Sequence, residues 1–234
     1  MPFYESGNVR IRYEEAGSGE AIILLPGLGH DHTYYAKTVP LLSAFGRVVT
    51  LDPRGLGQST ASTSGYSVEA WADDVIRVIE HIGAARAHLV GSSLGACVAM
   101  QAALDSPSRV ASLVLVAGFS ELDRSLEMNF RMRLKILDTM GLGDILASHV
   151  SMWTLGRSFL ASEAGRRQME KLFSSVRKNK PERYRAFIET ILRFGRCEPD
   201  QTGTPKLTDR LGDIRVPTCV ICGSEDVLTP PAVS

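Results

Sequence analysis

The chain has 234 residues, of which 44% are hydrophobic and 22% are charged, enough for one large domain whose core needs neither disulfides nor metal. Lys plus Arg and Asp plus Glu both total 26, so no net charge attracts nucleic acid or an anionic membrane. No apolar run approaches the roughly 18 residues of a membrane span, and the N-terminus is too polar for a signal peptide. We therefore expect a cytoplasmic monomer or homodimer with no nucleic-acid or membrane partner.

The first 120 residues alternate short β-rich runs with helical patterns. The runs are 9–16, 21–25, 47–51, 87–90 and 112–117. One helical pattern begins after Ser67, which we predict to be its N-cap. A second helical pattern covers 94–104, where small residues dominate. Apolar strands that alternate with helices predict an α/β fold, with a mostly parallel sheet and helices on both of its faces.

Strand patterns disappear between residues 121 and 200, where long helical stretches rich in Arg, Lys and bulky apolar side chains take over. The strand pattern resumes at 216–222. We interpret 121–200 as a helical cap inserted into a core made of 1–120 and 201–234.

Four cysteines are too few and too scattered for a disulfide scaffold. Cys219 and Cys222 form a C-x-x-C pair, but they lie in a run that is typical of a buried strand, where residues three apart point to opposite faces. We expect them, with Cys97 and Cys197, to be plain core cysteines.

The sequence Gly91-Ser92-Ser93-Leu94-Gly95 is a G-x-S-x-G motif between a predicted strand and a predicted helix. In that context the serine lies on a sharp turn that lifts its hydroxyl above the sheet. The flanking positions must be small, and Gly91 and Gly95 meet that need.

Three further loops follow predicted strands. Residues 26–30 (PGLGH) form a glycine-rich loop that can aim a backbone N–H at a developing oxyanion, with the amide of Leu94 as the second donor. Residues 52–59 (DPRGLGQS) follow the next strand. We expect Arg54 and Ser59 to brace that loop and Asp52 to end the strand with a turn hydrogen bond. Residues 223–230 (GSEDVLTP) place a carboxylate at the end of the last strand.

Taken together, PGLGH, DPRGLGQS, GSSLGA and GSEDVLTP resemble the α/β-hydrolase fold superfamily, in particular small serine esterases and lactonases with a helical cap. The resemblance implies that Ser93 is the nucleophile and Asp226 the acid of the catalytic triad, with Glu225 a less favoured candidate. It implies that the amides of Leu28 and Leu94 form the oxyanion hole, and that no metal or organic cofactor is needed.

The sequence departs from this family at the triad histidine, which should follow the acid. All five histidines precede Asp226. His30 and His32 flank the oxyanion loop and could approach the mouth of the pocket, whereas we expect structural roles for His81, His88 and His149. We interpret the chain as C-terminally truncated, without the last strand and helix of the fold, and expect impaired activity because no base is at hand for Ser93.

The predicted reaction is hydrolysis of a small or medium carboxylic ester or lactone through an acyl-enzyme on Ser93. The alternatives are a non-catalytic relative that binds a ligand and signals, and an acyltransferase or carbon–carbon hydrolase that uses the same site. Enzymes that need a carboxylate at the elbow are disfavoured, because that residue here is Ser93.

Overall fold

The structure is a computed structural model that describes residues 2–62, 65–195 and 206–231. These residues form a seven-stranded sheet of order β1-β2-β4-β3-β5-β6-β7. The strands are β1 (Phe3–Ser6), β2 (Val9–Ala16), β3 (Ala21–Leu25), β4 (Arg47–Leu51), β5 (Ala87–Ser92), β6 (Val110–Val116) and β7 (Thr218–Ile221). Strands β1 and β2 pair antiparallel, as do β2 and β4, and the remaining pairs are parallel. The predicted mostly parallel α/β sheet is confirmed, and β1 is a strand that the sequence analysis missed.

The two helices predicted with positions, after Ser67 and over 94–104, begin and end close to those positions. The helices of the described residues are α1 (Val39–Leu42), α2 (Val68–His81), α3 (Leu94–Asp105), α4 (Arg124–Met140), α5 (Asp144–Thr154), α6 (Arg157–Leu160), α7 (Glu163–Lys178), α8 (Pro181–Phe194) and α9 (Leu207–Arg210). The side chain of Ser67 accepts a hydrogen bond from the amide of Ala70 at 3.1 Å and so caps α2, as predicted. No helix of the described residues is long and apolar enough to cross a membrane.

The core of the sheet is made by continuous apolar strands that are covered on both faces. Ile23, Val49 and Leu89 are fully buried at the centre of β3, β4 and β5. Helix α3 packs on the same strands and is buried along nearly its whole length, because its many alanines allow the backbone to approach the sheet closely. The parallel strands therefore end side by side, and the loops after them share one edge of the sheet.

The residues from 124 to 194, hereafter the helical segment, contain α4 to α8. Their buried side chains, among them Leu126, Phe130 and Ile188, belong to the same hydrophobic cluster as the buried residues of the sheet. This segment contacts the loops of the sheet through hydrogen bonds to backbone carbonyls. Asn179 donates to Gly29 O at 3.1 Å. The helical content predicted for this region is therefore observed, while its boundary at residue 200 lies outside the described residues.

Strand β7 differs from its prediction. It pairs with β6 alone among the described strands, and all four of its residues are exposed. Cys219 is exposed and Cys222 is half-buried, so the expectation that both are core cysteines is wrong. An apolar run marks a buried strand only when neighbours cover it, and β7 lies at the edge of the described sheet. Cys97 is buried as expected, and Cys197 lies outside the described residues.

Candidate active site

Ser93 lies on the turn between β5 and α3, with φ 54° and ψ −119°. A positive φ is unfavourable for a residue with a side chain, and such strain persists only where the surrounding structure enforces it. Here the amide of Ser93 donates to Val116 O at the end of β6, at 2.9 Å, and its carbonyl accepts the amide of Ala96 at 2.8 Å. The turn therefore holds Ser93 at the carboxyl edge of the sheet, where the sequence motif predicted it.

The glycines on either side of Ser93 make this turn possible. A Cβ on Gly91 would lie 2.3 Å from Gly95 O, and a Cβ on Gly95 would lie 2.2 Å from Leu25 O. Both distances are far below van der Waals contact and involve backbone atoms that cannot move aside. The two predicted elbow glycines are thus required by close backbone approach.

The glycine-rich loop after β3 lies directly against Ser93. A Cβ on Gly27 would lie 3.4 Å from the Cβ of Ser93, so the two backbones are nearly in contact. The loop turns through a hydrogen bond from the amide of His30 to Gly27 O at 3.2 Å, and Gly29 takes a φ of +76°. Within the described residues, neither the amide of Leu28 nor that of Leu94 donates a hydrogen bond to the protein. Both N–H groups are therefore available to a ligand oxygen beside Ser93.

The loop after β7 holds Asp226 firmly. Its Oδ1 accepts from the amides of Leu228 and Thr229 at 2.9 and 2.8 Å, and its Oδ2 accepts from Thr229 Oγ1 at 3.1 Å. Thr229 Oγ1 also lies 3.3 Å from Ala117 O, just beyond β6. The carboxylate of Asp226 is thereby fixed near the same edge of the sheet that carries Ser93.

Glu225, the other candidate acid, turns toward the helical segment instead. It accepts from the hydroxyl of Ser158 at 2.7 Å and from the amide of Ser158 at 3.2 Å. The hydroxyl bond from Ser158 lowers the pKa of Glu225. This carboxylate is therefore committed to the helical segment, which leaves Asp226 the better placed of the two.

The five histidines all lie in the described residues, and each has contacts that account for it. His81 packs edge-on against the rings of Tyr4 and Tyr13, and His88 bonds to Ser112 at 2.8 Å at the amino end of the strands. Ser93 Oγ makes no hydrogen bond to any described residue, so none of these histidines serves it as a base in this conformation.

His30 lies closest to the oxyanion loop in sequence, and its imidazole faces the helical segment. Its Nδ1 is 3.1 Å from Ser175 Oγ, and its ring lies 4.7 Å from the ring of Tyr34. Burial lowers the pKa of His30 to about 4, so the imidazole is neutral at pH 7. The hydroxyl of Tyr34 in turn lies 3.3 Å from Ser92 Oγ, next to the nucleophile position.

The comparisons with known proteins agree with this geometry. The family model described as alpha/beta hydrolase fold matches residues 20–234. The chain belongs to the α/β-hydrolase family. It is 29% identical over 239 residues to a protein of Azorhizobium caulinodans named as carbamate hydrolase RutD, with 100% of this chain and 84% of the relative aligned.

Solved structures of α/β hydrolases share the fold. A thermophilic esterase from Thermogutta terrifontis has a TM-score of 0.80 at 25% identity, covering 96% of this chain and 78% of that one. The enol-lactonase from Burkholderia xenovorans has a TM-score of 0.83 at 23% identity, covering 99% of this chain and 85% of that one. These likenesses support a hydrolase of the α/β fold.

In this α/β hydrolase the buried carboxylate of Asp52 connects two of the loops. Its Oδ1 accepts from the backbone amide of His32 at 3.0 Å and lies 2.6 Å from His32 Nδ1, while its Oδ2 accepts from the amide of Gln58 at 2.9 Å. Ligand atoms of Asp31, His32 and Asp52 approach within 4.8 Å of one another, as in a metal site. Hydrogen bonds already engage both oxygens of Asp52, so they account for this cluster, and the absence of a metal requirement stays a prediction.

An apolar pocket lies below the oxyanion loop. Its cavity volume is about 30 Å³, it is partly open to solvent, and the helical segment closes one side of it with Phe187. Its lining includes Pro26, Gly27, Leu94, Val98, Trp71 and Phe187. Arg54 and Asp74 form a two-point ion pair in its wall, with Arg54 Nε 2.9 Å and Arg54 Nη2 2.5 Å from the carboxylate oxygens. The α/β hydrolase thus places an apolar pocket beside its candidate oxyanion donors.

Sequence reasoning missed the residues that join the helical segment to these loops. Ser175, Asn179 and Phe187 reach the oxyanion loop or the pocket from α7, its C-cap and α8. No local pattern marks them, because each belongs to an ordinary amphipathic helix and gains its role from packing. The role of Asp74 was equally hidden, since its partner Arg54 is 20 residues away.

Proposed function

We propose that this α/β hydrolase is a serine hydrolase that cleaves a small or medium carboxylic ester, lactone or related carbonyl compound through an acyl-enzyme on Ser93. The observation that carries the proposal is the strained turn at Ser93, with the oxyanion loop packed against it. Among the described non-glycine residues only Ser93 and Ala117 have a positive φ, and a strained serine on a turn between a strand and a helix is typical of catalytic turns. The naming of relatives as hydrolases supports the same reaction class.

In the proposed reaction the Oγ of Ser93 attacks the carbonyl carbon and loses its proton to a base. The carbonyl oxygen becomes an oxyanion and accepts hydrogen bonds from the amides of Leu28 and Leu94, which strengthen as its charge develops. The leaving alcohol takes a proton, and water then releases the acid from Ser93. Asp226 would orient a protonated imidazole, as the acid does in other serine triads.

The substrate class follows from the pocket. Its lining is largely apolar and its volume is small, which favours a short acyl or alkyl group over a polymer. A carbamate would present the same electrophilic carbonyl, and relatives named as carbamate hydrolases make this substrate worth testing.

No described histidine reaches Ser93, so acylation in this chain should be slow for want of a base. The first test is therefore covalent labelling of the protein by a fluorophosphonate probe. We expect slow, stoichiometric labelling that Ser93→Ala abolishes and the adjacent Ser92→Ala retains. Folded protein that takes no label, or label that persists in Ser93→Ala, would contradict the proposal.

The second test supplies the base from solution. Imidazole should accelerate labelling in proportion to its concentration, with no such effect on Ser93→Ala. If Asp226 is the acid, Asp226→Asn should reduce this acceleration, while Glu225→Gln should leave it intact because Glu225 is engaged with Ser158. The reverse ranking of these two variants would assign the acid to Glu225.

A second candidate function is a non-catalytic ligand-binding relative. The observation that favours it is the absence of any hydrogen bond from Ser93 Oγ to a described residue. Ligand binding without labelling, with or without imidazole, would support this candidate. Product analysis with added alcohol or thiol would separate hydrolysis from acyl transfer.

A further inference from the structure

Two polar side chains interrupt the apolar face that α4 presents to the hydrophobic core. The buried residues of α4 follow helical spacing: Leu126, Asn129, Phe130, Arg133 and Leu137. Asn129 is 1% exposed and Arg133 is 4% exposed. A charged group at such a position is rare unless it has a partner.

Arg133 has no such partner among the described residues. Its Nε and Nη2 are enclosed and make no hydrogen bond, and it forms no ion pair. The one recorded contact of its guanidinium is the ring of Phe130, 5.1 Å from its carbon to the ring centroid. The Oδ1 of Asn129, one helical turn earlier, is also enclosed and without a partner.

The rest of the helical segment shows how unusual this is. Buried Ser151 and Thr190 donate to carbonyls of their own helices, at 2.8 Å in each case. Surface arginines of the segment pair with carboxylates, as Arg131 does with Glu127 and Arg185 does with Asp138. Many polar groups of this segment are therefore paired within the described residues, whereas the buried cation Arg133 is not neutralised there.

A histidine lies beside Asn129 and Arg133, whereas no carboxylate of the described part of the chain forms an ion pair with Arg133. His149 Nε2 lies 3.3 Å from Asn129 Nδ2. Burial, and then the charge of Arg133, lower the pKa of His149, so the imidazole is neutral at pH 7. The cluster of Asn129, Arg133 and His149 thus combines one fixed positive charge with uncharged polar groups, which is the composition of an anion site.

This cluster connects to the nucleophile turn through two aromatic rings. The ring of Phe130 lies 6.4 Å from that of Phe119, just beyond β6. Phe119 O lies 3.0 Å from the thiol of Cys97, which belongs to the first turn of α3 after Ser93. A ligand held at Arg133 would therefore lie on the side of the helical segment that adjoins the candidate active site.

We propose that Asn129, Arg133 and His149 form a subsite for a carboxylate, and that the substrate carries this carboxylate on the part of the molecule that lies toward the helical segment. The proposal rests on the proposed hydrolase function and narrows its substrates to half-esters, carboxylated lactones and similar anions. The planar guanidinium group of arginine is well suited to bind a carboxylate through two parallel hydrogen bonds. The charge of the ligand would replace the ion-pair partner that Arg133 lacks among the described residues.

The test compares glutarate with glutaramide, two ligands of equal chain length that differ in carrying charged carboxylates or uncharged amides. Binding is measured by calorimetric titration of the whole chain, so the result does not depend on turnover. We expect glutarate to bind at least about tenfold more tightly than glutaramide, a difference of about 1.4 kcal/mol. Equal binding of the two ligands by the unaltered protein would overturn the proposal.

The variants are Arg133→Met, which removes the buried charge, and Arg131→Met, a matched change at a surface arginine. Arg133→Met should abolish the preference for glutarate and raise the midpoint of thermal unfolding, because an unneutralised buried charge is unfavourable. Arg131→Met should keep the preference. A preference that survives in Arg133→Met, or is lost equally in Arg131→Met, would refute the subsite. Fluorophosphonate labelling of Ser93 in the same samples reports the hydrolase function separately, so the two proposals can fail independently.

Discussion

Gly95→Ala is the most direct probe of the nucleophile turn. The added Cβ would lie 2.2 Å from Leu25 O, 2.7 Å from Leu25 C and 2.8 Å from Pro26 O. All three atoms belong to backbone where β3 passes into the oxyanion loop. The first turn of α3 and this loop must therefore move apart to accept the methyl group.

The magnitude follows from two opposing effects. Overpacking against backbone costs about 3 kcal/mol, at the upper end of the usual range. Alanine is better than glycine in a helix by about 1 kcal/mol, which offsets part of that cost. The free energy of unfolding should fall by about 2 kcal/mol, which lowers the thermal midpoint by about 4–8 °C in a chain of this size.

The assay is thermal unfolding followed by circular dichroism, together with the rate of fluorophosphonate labelling. Labelling should fall much more than stability does, because separating Leu94 from the oxyanion loop spoils the alignment of the two amide donors. The matched control is Gly212→Ala, where the new Cβ meets nothing within 4 Å and φ is not positive. An unchanged midpoint and an unchanged labelling rate in Gly95→Ala would refute the reasoning about close approach.

Three further predictions concern buried charges. Asp74→Asn should lower the free energy of unfolding by about 2–3 kcal/mol, because the half-buried Arg54 loses its two-point contact with a buried carboxylate. Asp73→Asn breaks only a surface pair and should cost at most about 1 kcal/mol. Urea unfolding measures both, and equal effects would contradict the assignment of Arg54 to Asp74. The pKa of His30 is about 4 in the folded chain and about 6.5 in the unfolded chain. Between pH 6.5 and pH 4 the unfolded chain therefore binds a proton at His30 more tightly than the folded chain does. The free energy of unfolding should therefore fall by about 2 kcal/mol from pH 7 to pH 5 through His30. His30→Gln should remove this part of the pH dependence. An identical pH profile in the variant would rule out this role of His30. Asp52→Ala should lower the free energy of unfolding in urea by at least about 3 kcal/mol, because the amides of His32 and Gln58 lose their shared acceptor. It should also slow the labelling of Ser93, because the two loops are then less well held. Labelling at the normal rate would show that the loops keep their positions without Asp52.

The strands and the loops after them could be predicted because they depend on local pattern. The apolar runs at 21–25 and 47–51 correspond residue for residue to β3 and β4, and each ends at a loop that the sequence marks with glycine. The elbow at Ser93 is likewise a local motif, and its glycines are explained by backbone contacts close by. The sequence order of these loops was enough to place them at one edge of the sheet.

The features that could not be predicted depend on long-range packing. The exposure of β7 follows from its position in the strand order, which its apolar sequence does not encode. The burial of Arg133 contradicts the usual interpretation of a basic helix as solvated, because only the packing of α4 decides which face is inside. The hydrogen bond between His32 and Asp52 joins loops that are 20 residues apart, and the types of the two residues do not predict that they pair.

The way in which the helical segment is attached has a consequence for how such a protein can diversify. Asn179 donates to Gly29 O, Arg183 to Gly55 O at 3.1 Å and Thr190 to Tyr66 O at 3.0 Å. Each of these acceptors is a main-chain carbonyl, which every amino acid provides. Substitutions in the loops that carry Gly29, Gly55 and Tyr66 would therefore keep these three carbonyl acceptors. A different set of helices with hydrogen-bond donors at the same three positions could pack on the same loops. Substrate selectivity could then change by replacement of the helical segment alone, while the loops that carry the candidate active site stay the same.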